Sequence, residues 1–476
     1  MTKTASHVSF AGDSSERRDC GYSASLFGAS VPESGGNPDA ACTVVVADGY
    51  TDDSLHGKKM KNAIRALAAL LLCSPLFLTD TATAGPATTI FTNVRLFDGE
   101  TVSETATVVV RGARIEDVSS SGDIPDVSNG AELIDGDGLT LMPGLIDAHT
   151  HTFSRANLER ALDFGVTTSL DMWTSVEFMQ AMQSEREDGI PFDRSDILFS
   201  GIGATAPDSH GTQFGPVPTL TKPEEAHAFV AARISEGSEY IKIIYDNFRM
   251  FDRPVPTLNY ATLEAVIDSA QSRGRLAVAH SRDVDAYADV VKAGGDGIVH
   301  ATVDLVPDRD LIDALRTKGT FVIPTLSIST PSGPALADDP VLGPRLSEKE
   351  LENLRAYSPL HRPGGDKVAM DSVRALNEGG VTILAGSDSP NRGTATGVSI
   401  HQELEMLVQS GLTPLQALVA ATSAPADAFG LDDRGRVRAG HRADLLLVEG
   451  DPAESITDSR RIVGVWKAGR RHSLDD

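Results

Sequence analysis

The stretch "EYIKIIYDN", Glu239 to Asn247, sets one lysine inside a run that otherwise suits a buried strand. Tyr240, Ile241, Ile243, Ile244 and Tyr245 are what a parallel strand covered on both faces requires. Inside such a strand an unpaired Lys242 would lose much of its solvation or give up its proton. A strand of this kind implies parallel neighbours, and the chain supplies them.

Seven other short apolar runs share its character: "LIDAHTH" (145–151), "TTSLDM" (167–172), "DILFSGIG" (196–203), "LAVAHS" (276–281), "GIVHAT" (297–302), "TFVIPTL" (320–326) and "VTILAGSDSP" (381–390). Between them lie segments with helical spacing, such as "NYATLEAVIDSAQSRG" and "DAYADVVKAGG". Eight strand-like runs alternating with helices predict an α/β fold, a (β/α)8 TIM barrel, over residues 144–430. The flanks differ. "TTIFTNVRLFDG", "TATVVVRGARIEDVS" and "AELIDGDGLTLMPG" before the barrel, and "ADLLLVEGDP" and "RIVGVWKAGRRH" after it, are β-rich runs broken by Gly and Asp turns. Residues 85–143 and 431–476 are therefore expected to meet as one small β-sandwich built from both ends of the mature chain.

The first part of the chain has another composition. Residues 1–59, rich in Ser, Gly, Asp and Ala, show no apolar period and read as a disordered extension. Residues 60–84 read as a signal peptide: Lys58, Lys59, Lys61 and Arg65 precede an apolar run from Ala66 to Leu78, and Ala82-Thr83-Ala84 supplies small residues for cleavage. The apolar run is short for a membrane span, so no stable membrane anchor is expected. This reading puts the translation start at Met60, leaving 1–59 untranslated, and places the mature protein in the periplasm or outside the cell. Cys20, Cys42 and Cys73 all fall before Gly85, so the mature chain would hold no disulfide and no thiolate metal site.

Of the 476 residues 41% are hydrophobic, enough for a sizeable core, and the net charge is -25. That charge argues against a nucleic-acid partner and against an anionic membrane surface. A small-molecule substrate is the partner expected; a homo-oligomer is left open.

The polar residues in the strand-like runs are not scattered. His149 and His151 close the first, Lys242 sits in the fourth, and His280 and His300 end the fifth and sixth. Asp388 ends the eighth. The C-terminal face of a barrel is where such side chains converge. In "HTH" the two imidazoles, two residues apart on extended chain, point the same way and can share one metal.

Taken together, "PGLIDAHTH", "YIKII", "VAHS", "GIVHA", "AGSDSP", "GLTPLQALVAATSAPADAFGL" and "GRVRAGHRADLLLV" resemble the metal-dependent amidohydrolase superfamily, most of all its imidazolonepropionase-like and Xaa-Pro dipeptidase-like members. The resemblance spans roughly the whole mature chain. It implies a first divalent metal on His149, His151 and Asp388, and a second on His280 and His300. A carboxylated Lys242, carrying a carbamate derived from carbon dioxide, would bridge them. Zinc is the metal expected. A hydroxide shared by the two ions would attack the carbonyl of an amide-type C–N bond, in a dipeptide, N-acyl amino acid, urea or carbamate. Asp388 would shuttle the proton to the leaving nitrogen.

Further candidates carry alternatives. His210, in "APDSHGTQFG", is a candidate substrate or oxyanion contact, or else a solvated loop histidine. Tyr245 follows Lys242 by three and reaches the site only if the strand bends; core packing is its alternative. Arg282 could bind a substrate carboxylate, or form a surface ion pair. His401, in "IHQELEML", is expected to begin a helix away from the metals. A lactone or ester hydrolase would use the same binuclear site. A mononuclear deaminase would carry H-x-x-E after the fifth strand, where "HSRD" offers Asp283 instead.

Overall fold

The computed structural model describes residues 87–119, 130–251, 253–330, 333–356 and 362–474. The extension 1–59 and the signal segment 60–84 lie outside the described residues.

The described chain is α/β. Strands β1 (Thr88–Phe97), β2 (Val102–Arg111), β3 (Arg114–Ser119), β4 (Glu132–Asp135) and β5 (Leu139–Pro143) come first. Seven short parallel strands follow: β6 (Leu145–Thr150), β7 (Val166–Asp171), β8 (Asp196–Phe199), β9 (Ile241–Ile244), β10 (Ala277–His280), β11 (Gly297–Val299) and β12 (Phe321–Ile323). Strands β13 (Leu445–Glu449), β14 (Ile462–Lys467) and β15 (Arg470–Arg471) end the chain. Helices separate most of the parallel strands, and their starts follow from sequence. Asn259, Asp283 and Asp308 each accept a backbone N–H of the helix they precede.

The parallel strands form two sheets, β6-β7-β8 and β12-β11-β10-β9. The run at 381–390, expected as the eighth strand, is not one. It touches its neighbours through single parallel bridges, Val322 with Ile383 on one side and Thr150 with Ser389 on the other. Its backbone is diverted where it matters most, since Asp388 has φ +55, which an extended strand cannot accommodate. Gly386 runs so close to β6 that a Cβ there would lie 2.8 Å from the Cβ of His149. On the other side of the two sheets, Ala204 bridges to Ile243.

Side-chain alternation divides the core. Ile146, Ala148, Leu170, Tyr240, Val278, Val299, Phe321, Ile323 and Leu384 pack in one cluster with Phe429 and Leu431. Ile241, Ile243, Tyr245, Ala277, Ala279, Ile298 and Val322 face a second cluster shared with the helices. Lys242 therefore points to the first side, and its neighbours on either side of it in sequence to the second.

The terminal segments do not form the two facing sheets of the expected sandwich. They make one eight-stranded sheet, in the order β15-β14-β13-β5-β1-β2-β3 with β4 added beside β1. The first half of β1 pairs with β4 and its second half with β5, with irregular register around Val94. A strand bent in this way lets one sheet wrap its own apolar side chains, among them Phe91, Val108, Leu141, Leu445 and Trp466. Between this sheet and the strand β8 lies a buried ionic group. Lys467 Nζ donates to Asp444 at 2.7 Å, and Arg434 donates to Asp196 at 2.7 Å. Arg442 binds both acids. Short helical turns also occur between the strands: Arg249–Phe251 and Gly343–Arg345 are 3-10 turns, and Leu326–Ser329 is a helical turn.

Candidate metal centre

His149 and His151 leave the end of β6, His280 ends β10, and His300 follows β11. Asp388 joins them from the diverted run. Its Oδ1 lies 3.3 Å from His149 Nε2 and 3.0 Å from His151 Nε2, and its Oδ2 lies 3.8 Å from His300 Nδ1. His300 Nε2 and His280 Nδ1 face each other at 2.9 Å. One donor atom from each of His149, His300 and Asp388 falls within 4.8 Å of the others, a group that could hold a metal ion. His151 and His280 flank that group.

Two of these rings are held at their Nδ1 atoms. His300 Nδ1 is 2.7 Å from Thr325 Oγ1, and His151 Nδ1 is 3.4 Å from the Trp173 carbonyl. Asp246 Oδ2 stands 3.4 Å from His280 Nε2, close but away from hydrogen-bonding geometry. Asn391 Nδ2 donates to Asp388 Oδ1 at 2.9 Å. These bonds fix the His300 and His151 rings in the way that second contacts fix imidazoles around a metal, while His149 Nδ1 and His280 Nε2 meet no hydrogen-bond partner among the described residues. His300, Thr325 and Asp388 all have positive φ. Strain of this kind gathers at sites that demand a set side-chain direction.

Electrostatics put most of the groups in their ligating forms. Burial pushes the imidazoles of His149, His280 and His300 well below the usual histidine range, leaving them neutral. Burial would raise Asp388, but His149 and His151 outweigh it and hold the carboxyl below its usual range. Burial also pushes the Lys242 ammonium down to about 7, and its Nζ has no hydrogen-bond partner among the described residues. Neutral imidazoles at His149, His280 and His300, an ionised carboxylate and an amine able to lose its proton are donor forms that suit a divalent ion, whereas at His151 burial is outweighed by Asp388, which raises the imidazole above its usual value. Gly203 leaves space beside that lysine: a Cβ there would come within 2.8 Å of the Trp173 ring and 3.3 Å of Lys242 Cγ.

Of the other expected residues, His210 is brought to this centre, its ring 5.2 Å from that of His280 and 4.9 Å from that of Phe248. Burial lowers it to about 3. Tyr245 is not brought in. It lies on the helix-facing side of β9, where its hydroxyl donates to Asp289 at 2.8 Å, because an odd step along a strand reverses the side chain. Arg282 makes no surface ion pair; it is 1% exposed and its charge acts on His149, His210, His280, His300 and Asp388. His401 is buried in the helix Ser399–Gln409, its ring bound to Ser459 and to the Phe164 carbonyl. Asp246, Thr325 and Asn391 are the supporting residues that sequence reasoning passed over. Asp246 had a signal, since it stands four residues beyond Lys242 and so shares its side of the strand.

Residues 140–471 match the Amidohydrolase family. The chain belongs to that family, and it is a hydrolase acting on carbon–nitrogen bonds. Over 382 residues it is 24% identical to imidazolonepropionase of Streptomyces coelicolor, covering 77% of this chain and 92% of that one. Among solved structures, a Xaa-Pro dipeptidase with bound methionine superposes with a TM-score of 0.67 at 22% identity, covering 81% of this chain and 100% of that one. Molinate hydrolase superposes at 0.65 with 19% identity, covering 82% and 95%. These two likenesses establish a shared fold.

Proposed function

We propose that the protein is a metal-dependent hydrolase of an amide-type C–N bond, working at the cluster of His149, His151, Lys242, His280, His300 and Asp388. The observation that carries this is the convergence of His149 and His151 Nε2 on Asp388 Oδ1, with the paired rings of His300 and His280 beside them and the His300 and His151 rings steadied by Thr325 and the Trp173 carbonyl. The two parallel sheets are read as a closed (β/α)8 barrel. In support, backbone N–H groups of Ala204 and Ile244 join β9 to the segment after β8, and those of Val322, Leu384, Ala148 and Asp388 link β12 and β6 to the run 381–390.

Two divalent ions, most simply zinc, would supply an acidified water and polarise the scissile carbonyl. Asp388, ionised and buried, accepts the proton from that water and returns it to the departing nitrogen. Lys242 is read as a carbamate: its amine, once neutral, would add carbon dioxide and release one proton, giving a buried anion that could help hold a divalent ion. His210, at the rim, can donate to the oxygen on which charge develops. The rival deaminase reading is weakened by Asp283, whose carboxylate is spent on the helix start, accepting Ala286 N–H at 2.9 Å.

Metal analysis of the purified protein should give close to two divalent ions per chain, with hydrolysis abolished by chelators and restored by zinc. A protein that binds none and hydrolyses amides regardless of chelator refutes the proposal. Paired amide and ester substrates of one acyl group separate C–N hydrolysis from lactone or ester hydrolysis at the same site.

Export is part of the proposal, resting on the pattern of residues 60–84. Among the described residues no helix is long and apolar enough to cross a membrane. N-terminal sequencing of the exported protein is expected to begin at Gly85; a sequence running from Met1 would overturn this.

A further inference from the structure

Arg282 stands apart from every other charged group in the centre. Its backbone is pinned by Val303, whose N–H donates to the Arg282 carbonyl at 2.9 Å, and by the adjacent Asp283 at the start of the helix Val284–Lys292. Its side chain is 1% exposed, yet among the described residues none of Nε, Nη1 and Nη2 meets a hydrogen-bond partner. The guanidinium lies over the face of the Phe251 ring, 5.6 Å from its centroid.

A guanidinium does not escape burial by losing its proton, so this one needs an anion. The two acids whose charge reaches it are Asp246 and Asp388. Asp246 accepts the Phe248 N–H at 2.8 Å and faces His280, and Asp388 is engaged by His149, His151 and Asn391. Neither comes within ion-pair distance of Arg282. Divalent ions in the centre would add positive charge and deepen the deficit.

We infer that the missing partner is the carboxylate of the substrate, held by the planar fork of Arg282, so that the amide cleaved is an N-acyl amino acid or a dipeptide rather than a neutral urea or carbamate. The fork matches a carboxylate with two parallel N–H···O bonds. Arg282 is two residues past His280 on the same chain, which sets a carboxylate bound there one short span from a carbonyl at the metals. Phe248, stacked on the ring of His280 and tilted against that of His210, offers an apolar wall for the carbons between. This inference rests on the hydrolase reading for the position of the scissile bond, but not for the binding of the carboxylate.

The test uses a panel of N-acetyl L-amino acids and the matching N-acetyl amino acid carboxamides, which differ only in the charge at one end. The expected result is a kcat/KM for the free acids at least about tenfold above that for the carboxamides. Arg282→Met should erase that ratio, and Arg282→Lys, a point charge without the fork, should keep part of it. Calorimetric titration with the same acids reads binding without turnover, and metal content and the thermal unfolding midpoint show that each variant folds. Equal handling of acid and carboxamide by the wild type overturns the inference, as does a ratio that survives Arg282→Met. Loss of metal from Arg282→Met with the ratio unchanged assigns the guanidinium to the Lys242 carbamate and equally overturns it. If neither compound is cleaved while metal is bound, the inferred substrate class is overturned, and the titration decides separately whether Arg282 binds a carboxylate.

Discussion

In Asp388→Asn, turnover of an amide substrate is expected to fall by a factor of about a hundred to ten thousand, the range lost when a proton-transfer group is removed. The fold should survive. Asparagine has the same shape, the backbone at 388 is held by its N–H to the His149 carbonyl at 2.8 Å, and Asn391 can still donate to the remaining side-chain oxygen. Much of the metal should survive too, since an amide oxygen remains a donor beside His149 and His300. What disappears is a buried base next to the attacking water. The check is kcat at matched metal content, with the thermal midpoint as a control on folding. A variant that turns over an amide at the wild-type rate shows that Asp388 does not move the proton. One that loses both ions shows instead that the residue serves chiefly as a ligand.

That experiment bears on how the site can be read from residues alone. Strand parity was the strongest guide. It put Lys242 and Tyr245 on opposite sides of their strand, which is where they lie, and it would have put Asp246 on the side of Lys242. It was not applied to Arg282, two residues beyond His280, where a surface ion pair was the favoured expectation and the side chain is buried instead. The remaining supports were not legible. Thr325 and Asn391 are ordinary polar residues in sequence, and what makes Thr325 matter is a left-handed backbone that aims its hydroxyl at His300. Nor does alternation say whether β-rich runs make one sheet or two. The pairing of β1 with both β4 and β5, and of β5 with β13, settles that in space and puts the strands before and after the parallel ones into a single sheet. The run 381–390 had a strand's composition but ends in Asp388 at positive φ, so function took the place of regular pairing there.

The other large effect expected is in Lys242→Ala, where the carbamate reading and a merely structural lysine part company. Removal of a carbamate takes away the one anion proposed between the metals. His280 and His300 are then a poor site for a second ion, with two neutral nitrogens and no negative charge to offset its own. Metal content should fall from two toward one per chain, and amide turnover should collapse. Formate fits the vacated space as a small anion and should restore part of both. In the wild type stripped of metal, reloading should depend on bicarbonate, because the amine must take up carbon dioxide before it can hold the ions. A structural ammonium predicts otherwise. Its Nζ has no partner among the described residues to lose, and its removal would relieve a desolvated cation, so stability would hold or rise with no response to formate or bicarbonate. The measurements are metal per chain, turnover with and without formate, and reloading in buffer freed of carbon dioxide. Two ions retained in Lys242→Ala with wild-type turnover would end the carbamate reading, and the site would then have to be explained by its histidines and Asp388 alone.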